Sequence, residues 1–72
     1  MITFNQARQV VEDKVGPTLQ EGYEDSEDYS VLLSEPTIDD TVQLVAKADG
    51  NLHQEYYFDV RDKLQAMTPV TG

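Results

Sequence analysis

Residues 41–58 read TVQLVAKADGNLHQEYYF, with two strand-like segments on either side of Asp49-Gly50. An Asp-Gly pair between two such segments is typical of a β-hairpin. We therefore predict antiparallel strands over about 41–47 and 52–58. The rest of the fold has to cover the apolar face of this hairpin, so the interpretation of the chain works outward from it.

The length of the hairpin loop determines which side chains share a face. A three-residue loop, Ala48–Gly50, would pair Ala46 with Leu52 and bring the apolar sides of both strands together. A strict two-residue Asp-Gly turn would instead pair Ala46 with His53 and put the two sides on opposite faces. We predict the three-residue loop, with Gly50 in the left-handed conformation that glycine adopts without strain.

The N-terminal segment has the pattern of an amphipathic helix. Residues 3–6 (TFNQ) have the form of a capping box, in which the side chains of Thr3 and Gln6 each accept from the other residue's backbone N–H. Apolar residues then recur at spacings of three and four. Gly16-Pro17 ends the pattern, because proline cannot continue the helical hydrogen bonds. We predict a helix over about 4–15.

The remaining segments predict a loop, a strand and a second helix. Residues 18–28 are polar and are expected to form a loop. The alternating residues that follow predict a strand over about 29–34, stopped by Pro36 because proline lacks a ladder donor. Asp59 can cap a helix over about 60–67, since aspartate accepts from the first free N–H groups of a helix.

These elements predict an α+β fold in the order α-β-β-β-α. We expect a single domain over residues 1–72, a three-stranded antiparallel meander with two short helices on one face. The chain has no cysteine, so disulfides and thiolate metal sites are excluded. No apolar run exceeds three residues, and the chain opens without a signal-peptide pattern. We therefore expect a cytoplasmic protein.

Charge is the most informative bulk property of the chain, which carries a net −9. Eight acids lie between Val15 and Ala46, a stretch without lysine or arginine, and the remainder is almost neutral. We predict a negative pole that binds a protein with a basic surface and does not bind nucleic acid directly. The alternative is that acidity only keeps a small domain soluble. The predicted partner-binding residues are Glu21, Glu24, Asp25, Glu27, Asp28, Glu35, Asp39 and Asp40.

Residue types that carry catalysis are sparse. His53 is the single histidine, which excludes His-rich zinc sites. We expect it to be an ordinary exposed strand residue rather than the base of a Ser-His-Asp triad. Acid–base catalysis needs two carboxylates in different environments, whereas Asp39 and Asp40 are adjacent in a predicted loop. Residues 24–35 match a calcium loop only in part, with Tyr29 where that loop needs glycine. We predict no enzymatic activity, no cofactor and no metal site.

Two further surfaces are candidates for contact with another chain. Tyr57 is expected to face away from the helices, where it would form a modest exposed patch with Val45 and His53. A three-stranded sheet also has two edges, and either could add a strand, so a homodimer through an edge is one expectation. The four tyrosines either supply an aromatic interface or divide between core and surface: Tyr23, Tyr29, Tyr56 and Tyr57.

The second half of the chain resembles a known group of small proteins. Residues 45–52 (VAKADGNL) resemble the strand, Lys-x-x-Gly turn and strand of small actinobacterial and phage α+β proteins, and residues 57–70 resemble their closing segment. The helix ending before Gly16-Pro17 and the acidic residues 22–25 are similar too. Some of these proteins are described as YrhB-like domains or as immunity proteins of polymorphic toxin systems. The resemblance implies a protein-binding role and supplies no catalytic residues.

Three functional classes stay open. The first is a non-enzymatic protein-binding module, such as an immunity-like or phage-encoded inhibitor protein, acting on a basic partner surface. The second is a DNA mimic, which should present carboxylates in a regular array on rigid elements, whereas most acids here fall in predicted loops. The third is a ligand-binding or catalytic domain, for which no constellation of residues is recognisable. We favour the first.

Overall fold

The computed structural model describes residues 1–35 and 40–72, so the predicted stop at Pro36 and the predicted site residue Asp39 lie outside the described residues. The described part of the chain forms two α-helices, one 3-10 helix and five strands. The helices are α1 (Phe4–Lys14) and α2 (Arg61–Ala66), and the 3-10 helix is Tyr57–Asp59. The strands are β1 (Thr18–Glu24), β2 (Asp28–Leu33), β3 (Thr41–Ala46), β4 (Leu52–Tyr56) and β5 (Thr68–Thr71).

The strands form one antiparallel sheet in the order β4-β3-β2-β1-β5. The α+β class is confirmed, but the sheet has two strands more than the predicted meander. Residues 18–28 were expected to form a loop, and most of them form β1. This strand has mostly exposed side chains, so it lacks the apolar alternation that would predict it. Backbone pairing with β2 on one side and β5 on the other holds it in place.

α1 covers one face of the sheet. Its capping box is confirmed, since Gln6 N donates to Thr3 Oγ1 at 3.2 Å and Thr3 N donates to Gln6 Oε1 at 2.8 Å. The helix ends at Lys14, one residue before the predicted end. Burial of each large side chain in the core beneath it contributes about 1.5–3 kcal/mol. This core consists of Phe4, Ala7, Val11, Tyr29, Val31 and Val45.

The hairpin between β3 and β4 has a four-residue loop, 47–50, rather than the predicted three-residue loop. Ala46 N donates to Asn51 O at 2.9 Å, and Val45 rather than Ala46 pairs with Leu52. Lys47 cannot extend the pairing with β4, because its N–H and C=O bond Glu27 and Ile2 instead. Gly50 adopts the predicted left-handed conformation, with φ of 75°. The one-residue shift turns Val45 toward α1.

The second helix lies on the sheet face opposite α1, not beside it as predicted. Lys63 of α2 bonds Asp28 of β2. The side chain of Asp28 lies on the face of β2 opposite to the side chains of Tyr29 and Val31, which pack under α1. Leu44, on the same face as Asp28, is 1% exposed. The predicted strand over 52–58 ends at Tyr56, and α2 is capped by Val60 without a side-chain bond, so Asp59 is not its cap.

Candidate functional site

The seven described members of the predicted negative pole do not lie together. β2 runs from Asp28 to Leu33, and a strand of that length separates its ends by about 17 Å. Four of the acids lie around the β1–β2 turn at the start of β2, whereas Glu35 and Asp40 lie beyond its other end. Glu21 lies within β1 and is exposed. A contiguous acidic segment of sequence therefore becomes two separate groups.

Lysine from α2 engages two acids of the β1–β2 turn. Lys63 Nζ lies 2.7 Å from Asp25 Oδ2 and 3.0 Å from Asp28 Oδ2. Asp25 Oδ1 also accepts from the backbone N–H of Glu27 and of Asp28, both at 2.8 Å. Burial opposes ionisation of Asp25, but the bonds from Lys63 and the backbone outweigh it and lower the pKa of Asp25. Burial likewise opposes the charge on Lys63, and its bonds to both carboxylates outweigh it and raise the pKa of Lys63.

A third acid of the turn is engaged by Lys47. Its Nζ donates to Glu24 Oε1 at 2.7 Å and lies 4.8 Å from the centroid of the Tyr29 ring. Its hydrogen bond to the Glu24 carboxylate raises the pKa of Lys47. Glu24, Asp25 and Asp28 thus hold the turn, the hairpin loop and α2 together. Among the turn acids, Glu27 is the exposed one.

The side chains of Val45, His53 and Tyr57 do not share one exposed surface. Val45 is 0% exposed beneath α1, because the register of the hairpin turns it inward. His53 lies on the opposite face, where Nε2 is 3.3 Å from Asp28 Oδ1 and Nδ1 is 3.4 Å from Glu55 Oε1. Tyr57 starts the 3-10 helix and is 38% exposed.

Three consecutive aromatic residues are among the exposed large apolar residues of the described chain. Tyr56, Tyr57 and Phe58, which we call the aromatic corner, are 62%, 38% and 70% exposed. The rings of Tyr57 and Phe58 stack edge to face with centroids 5.4 Å apart. A strand over 52–58 with Leu52 toward the core, as predicted, would also turn Tyr56 and Phe58 toward the core. Strand side chains alternate between faces, so three aromatics in a row already signal that at least one is exposed.

Four acidic residues lie near the aromatic corner along the chain or through a backbone bond. Tyr57 N donates to the carbonyl oxygen of Asp40 at 2.6 Å, which places Asp40 at the start of the corner. Asp59 ends the 3-10 helix, and Asp62 follows in the first turn of α2; both are exposed. The Glu55 side chain is 42% exposed. The segments next to the aromatic corner thus carry four carboxylates and one cation, Arg61.

A groove between α2 and the sheet continues the apolar surface from Tyr57. Its volume is about 380 Å³, and its lining is mainly apolar. Leu64 from α2 and Leu32 and Val42 from the sheet contribute the aliphatic side chains. The groove brings no metal-ligating cluster with it. Across residues 1–35 and 40–72, no group of three or more His, Cys, Asp or Glu side chains could hold a metal ion.

Comparisons with protein-family models, with curated proteins and with solved structures found no match for this chain. Within the described ranges, no helix is both long enough and apolar enough to cross a membrane. The interpretation of the aromatic corner therefore rests on its own geometry and charge.

Proposed function

We propose that this chain is a small, non-enzymatic protein-binding module that docks on the basic surface of a partner through the aromatic corner. The observation that carries the proposal is the exposure of Tyr56 and Phe58, at 62% and 70%, in a segment that also carries Glu55, Asp59 and Asp62. Water-exposed aromatic side chains of this size are costly to leave uncovered. They are also the residue types that dominate binding energy in protein interfaces.

The shape of the aromatic corner favours binding without much reorganisation. The edge-to-face contact of Tyr57 and Phe58 restricts both rings before a partner arrives. Side chains that are already ordered lose less conformational entropy on association. An aromatic centre with a polar rim matches the general anatomy of protein interfaces.

The charge around the corner supports a basic partner. Asp40, Asp59 and Asp62 are exposed, and the chain carries a net −9. Long-range attraction would raise the association rate of a basic protein and align it with this surface. In contrast, the turn acids Glu24, Asp25 and Asp28 already bond lysines within the chain. An immunity-like or phage-encoded inhibitor is the specific form of this module that the sequence resemblance implies.

The test compares two surface variants of the tagged chain in lysate of its source organism. Tyr56→Ser/Phe58→Ser removes the aromatic corner, and Val15→Ser/Leu19→Ser is the matched control at two other exposed apolar residues. We expect a basic protein to be retained by the wild type and by the control at low salt, to be lost at high salt, and not to be retained by the corner variant. Equal retention by both variants would contradict the proposal. Retention unaffected by salt would contradict a basic partner surface.

A further inference from the structure

The two edges of the sheet are not equally able to pair with another chain. Gly72 N donates to Gln20 O at 2.9 Å. Along β5, residues that bond β1 alternate with residues whose backbone N–H and C=O face away from β1, so this bond shows which residues are which. Pro69 and Thr71 are therefore the β5 residues whose backbone faces outward. Proline has no N–H, so Pro69 removes a donor that an added strand would need and disfavours further pairing at this edge.

The β4 edge has no such protection. Ala46 N donates to Asn51 O at 2.9 Å, and Tyr57 N donates to Asp40 O at 2.6 Å, at the two ends of the β3–β4 pairing. Antiparallel bonds alternate, so the backbone groups of Leu52, Gln54 and Tyr56 face away from β3. These three residues present N–H and C=O groups along about 14 Å of strand. No strand in the described part of the chain covers them.

The charge around β4 indicates what could cover it. Residues 49–62 contain four acids and one arginine. A second copy of this chain would bring the same excess of acid and a net −9 of its own, which disfavours pairing of two β4 edges. A segment that carries lysine or arginine is favoured by the same charges.

We propose, resting on the protein-binding function above, that β4 accepts an extended segment of the basic partner as a sixth strand. The added strand alternates basic and apolar residues. Its basic side chains lie on the sheet face of Glu55, and its apolar side chains lie on the face of Leu52 and Tyr56. Backbone bonds to Leu52, Gln54 and Tyr56 fix the segment, and the aromatic corner lies at the end of the new strand.

The probe for this proposal is a short synthetic peptide in which lysine and valine alternate. Amide hydrogen exchange by NMR is measured on the full chain with and without the peptide. We expect slower exchange at the amides of Leu52, Gln54 and Tyr56, and unchanged exchange at Thr71 on the β5 edge. The same peptide with glutamate in place of lysine is expected not to bind.

A backbone substitution tests the edge without touching any side chain. In a chemically synthesised chain, an ester at Gln54 replaces its outward N–H with oxygen. It also makes the His53 carbonyl a weaker acceptor for β3, and an ester at Thr71 has the same effect on the Val70 carbonyl that faces β1. One lost hydrogen bond of about 1 kcal/mol should weaken peptide binding about five- to tenfold. An ester at Thr71, whose N–H faces outward from β5, is the matched control and should bind the peptide unchanged.

Three results would overturn the proposal of strand addition, and they differ in whether they also contradict the aromatic-corner function. Peptide binding that leaves the three β4 amides unprotected, or is unaffected by the Gln54 ester, removes strand addition but leaves the aromatic-corner function standing. Protection of the same amides in a concentrated sample without peptide makes a second copy the occupant. Absence of peptide binding together with equal lysate retention by both surface variants removes both proposals.

Discussion

Lys63 joins α2 to the start of β2, with its Nζ 3.0 Å from Asp28 Oδ2. The Asp28 side chain is 10% exposed, so the pair is largely shielded from water. This contact fixes α2 on the face of the sheet opposite α1. It also changes the meaning of the acidic segment, because some of its carboxylates stabilise the fold rather than face a partner.

Removal of this lysine should destabilise the domain. Lys63→Met keeps much of the aliphatic side chain but removes the ammonium group from both carboxylates. Asp25 then keeps only its backbone donors, and Asp28 keeps only the His53 ring nitrogen. An uncompensated carboxylate in a largely buried position is costly, and we expect a loss of about 1–3 kcal/mol in the free energy of unfolding. Urea denaturation measures it. Lys14→Met, at the exposed end of α1, is the control and should change stability by less than about 0.5 kcal/mol. Equal stability of the two variants would contradict the role of Lys63.

Stability should fall at both extremes of pH through the same cluster. The pKa of Asp25 is lowered in the folded state, so its contribution is present above the unfolded value of about 3.9 and is lost as the pH falls through the folded pKa. The pKa of Lys63 is raised, so its contribution is present below about 10.4 and is lost as the pH rises through the folded pKa.

Asp25→Asn tests how much of the loss of stability at low pH comes from Asp25. Asparagine can still accept from the backbone of Glu27 and Asp28 but carries no charge for Lys63. We expect denaturation midpoints of this variant to change less below about pH 4 than those of the wild type. Asp62→Asn on the exposed side of α2 is the control and should keep the wild-type slope. An unchanged slope in Asp25→Asn would show that other carboxylates govern acid unfolding.

Gly22 should not tolerate any side chain. A Cβ at this position would meet the carbonyl oxygen of Ser30 and would lie 3.0 Å from two ring carbons of Phe4. Gly22→Ala therefore has to move β1 away from Ser30 of β2 and from Phe4 of α1. We expect this to cost about 1–3 kcal/mol in the free energy of unfolding. Gly16→Ala is the matched control, because nothing lies within 4 Å of its Cβ. Thermal unfolding should give a lower Tm for Gly22→Ala only, and equal Tm values would contradict the packing described.

Phe58 should be dispensable for folding. Its side chain is 70% exposed, so Phe58→Ser removes little buried area and should change stability by no more than about 0.5 kcal/mol. Phe4→Ala, which empties a position that is 5% exposed, should cost about 3–5 kcal/mol. Urea denaturation of both variants separates a surface aromatic from a core one. A large loss in Phe58→Ser would mean that the aromatic corner is structural.

Short sequence patterns predicted those parts of the fold that a few neighbouring residues determine. The Thr3–Gln6 capping box and the left-handed Gly50 are set by a few neighbouring residues, and both are present. β1 escaped prediction because its side chains are mostly exposed and show no apolar alternation. One of its two pairing partners, β5, also lies at the other end of the chain. β5 escaped it because Pro69 is unfavourable within a sheet, except at an outward position on an edge strand.

The candidate site was harder to predict than the fold class. The hairpin register differs by one residue because Lys47 bonds Glu27 and Ile2, contacts that no local pattern encodes. That shift buried Val45 and separated it from His53. The sequence shows where the acidic residues are, but two of them bond Lys47 and Lys63, which lie 23 and 38 residues away in sequence. Only tertiary structure assigns some carboxylates to the fold and others to the surface.

The proposed partner-binding site is the aromatic corner rather than the acidic β1–β2 turn. Hydrogen–deuterium exchange of the chain, alone and in complex with the partner retained at low salt, distinguishes the two sites. We expect protection over residues 52–59 in the complex, with residues 24–28 unchanged. Protection over residues 24–28 with 52–59 unchanged would contradict it and return the binding site to the acidic turn.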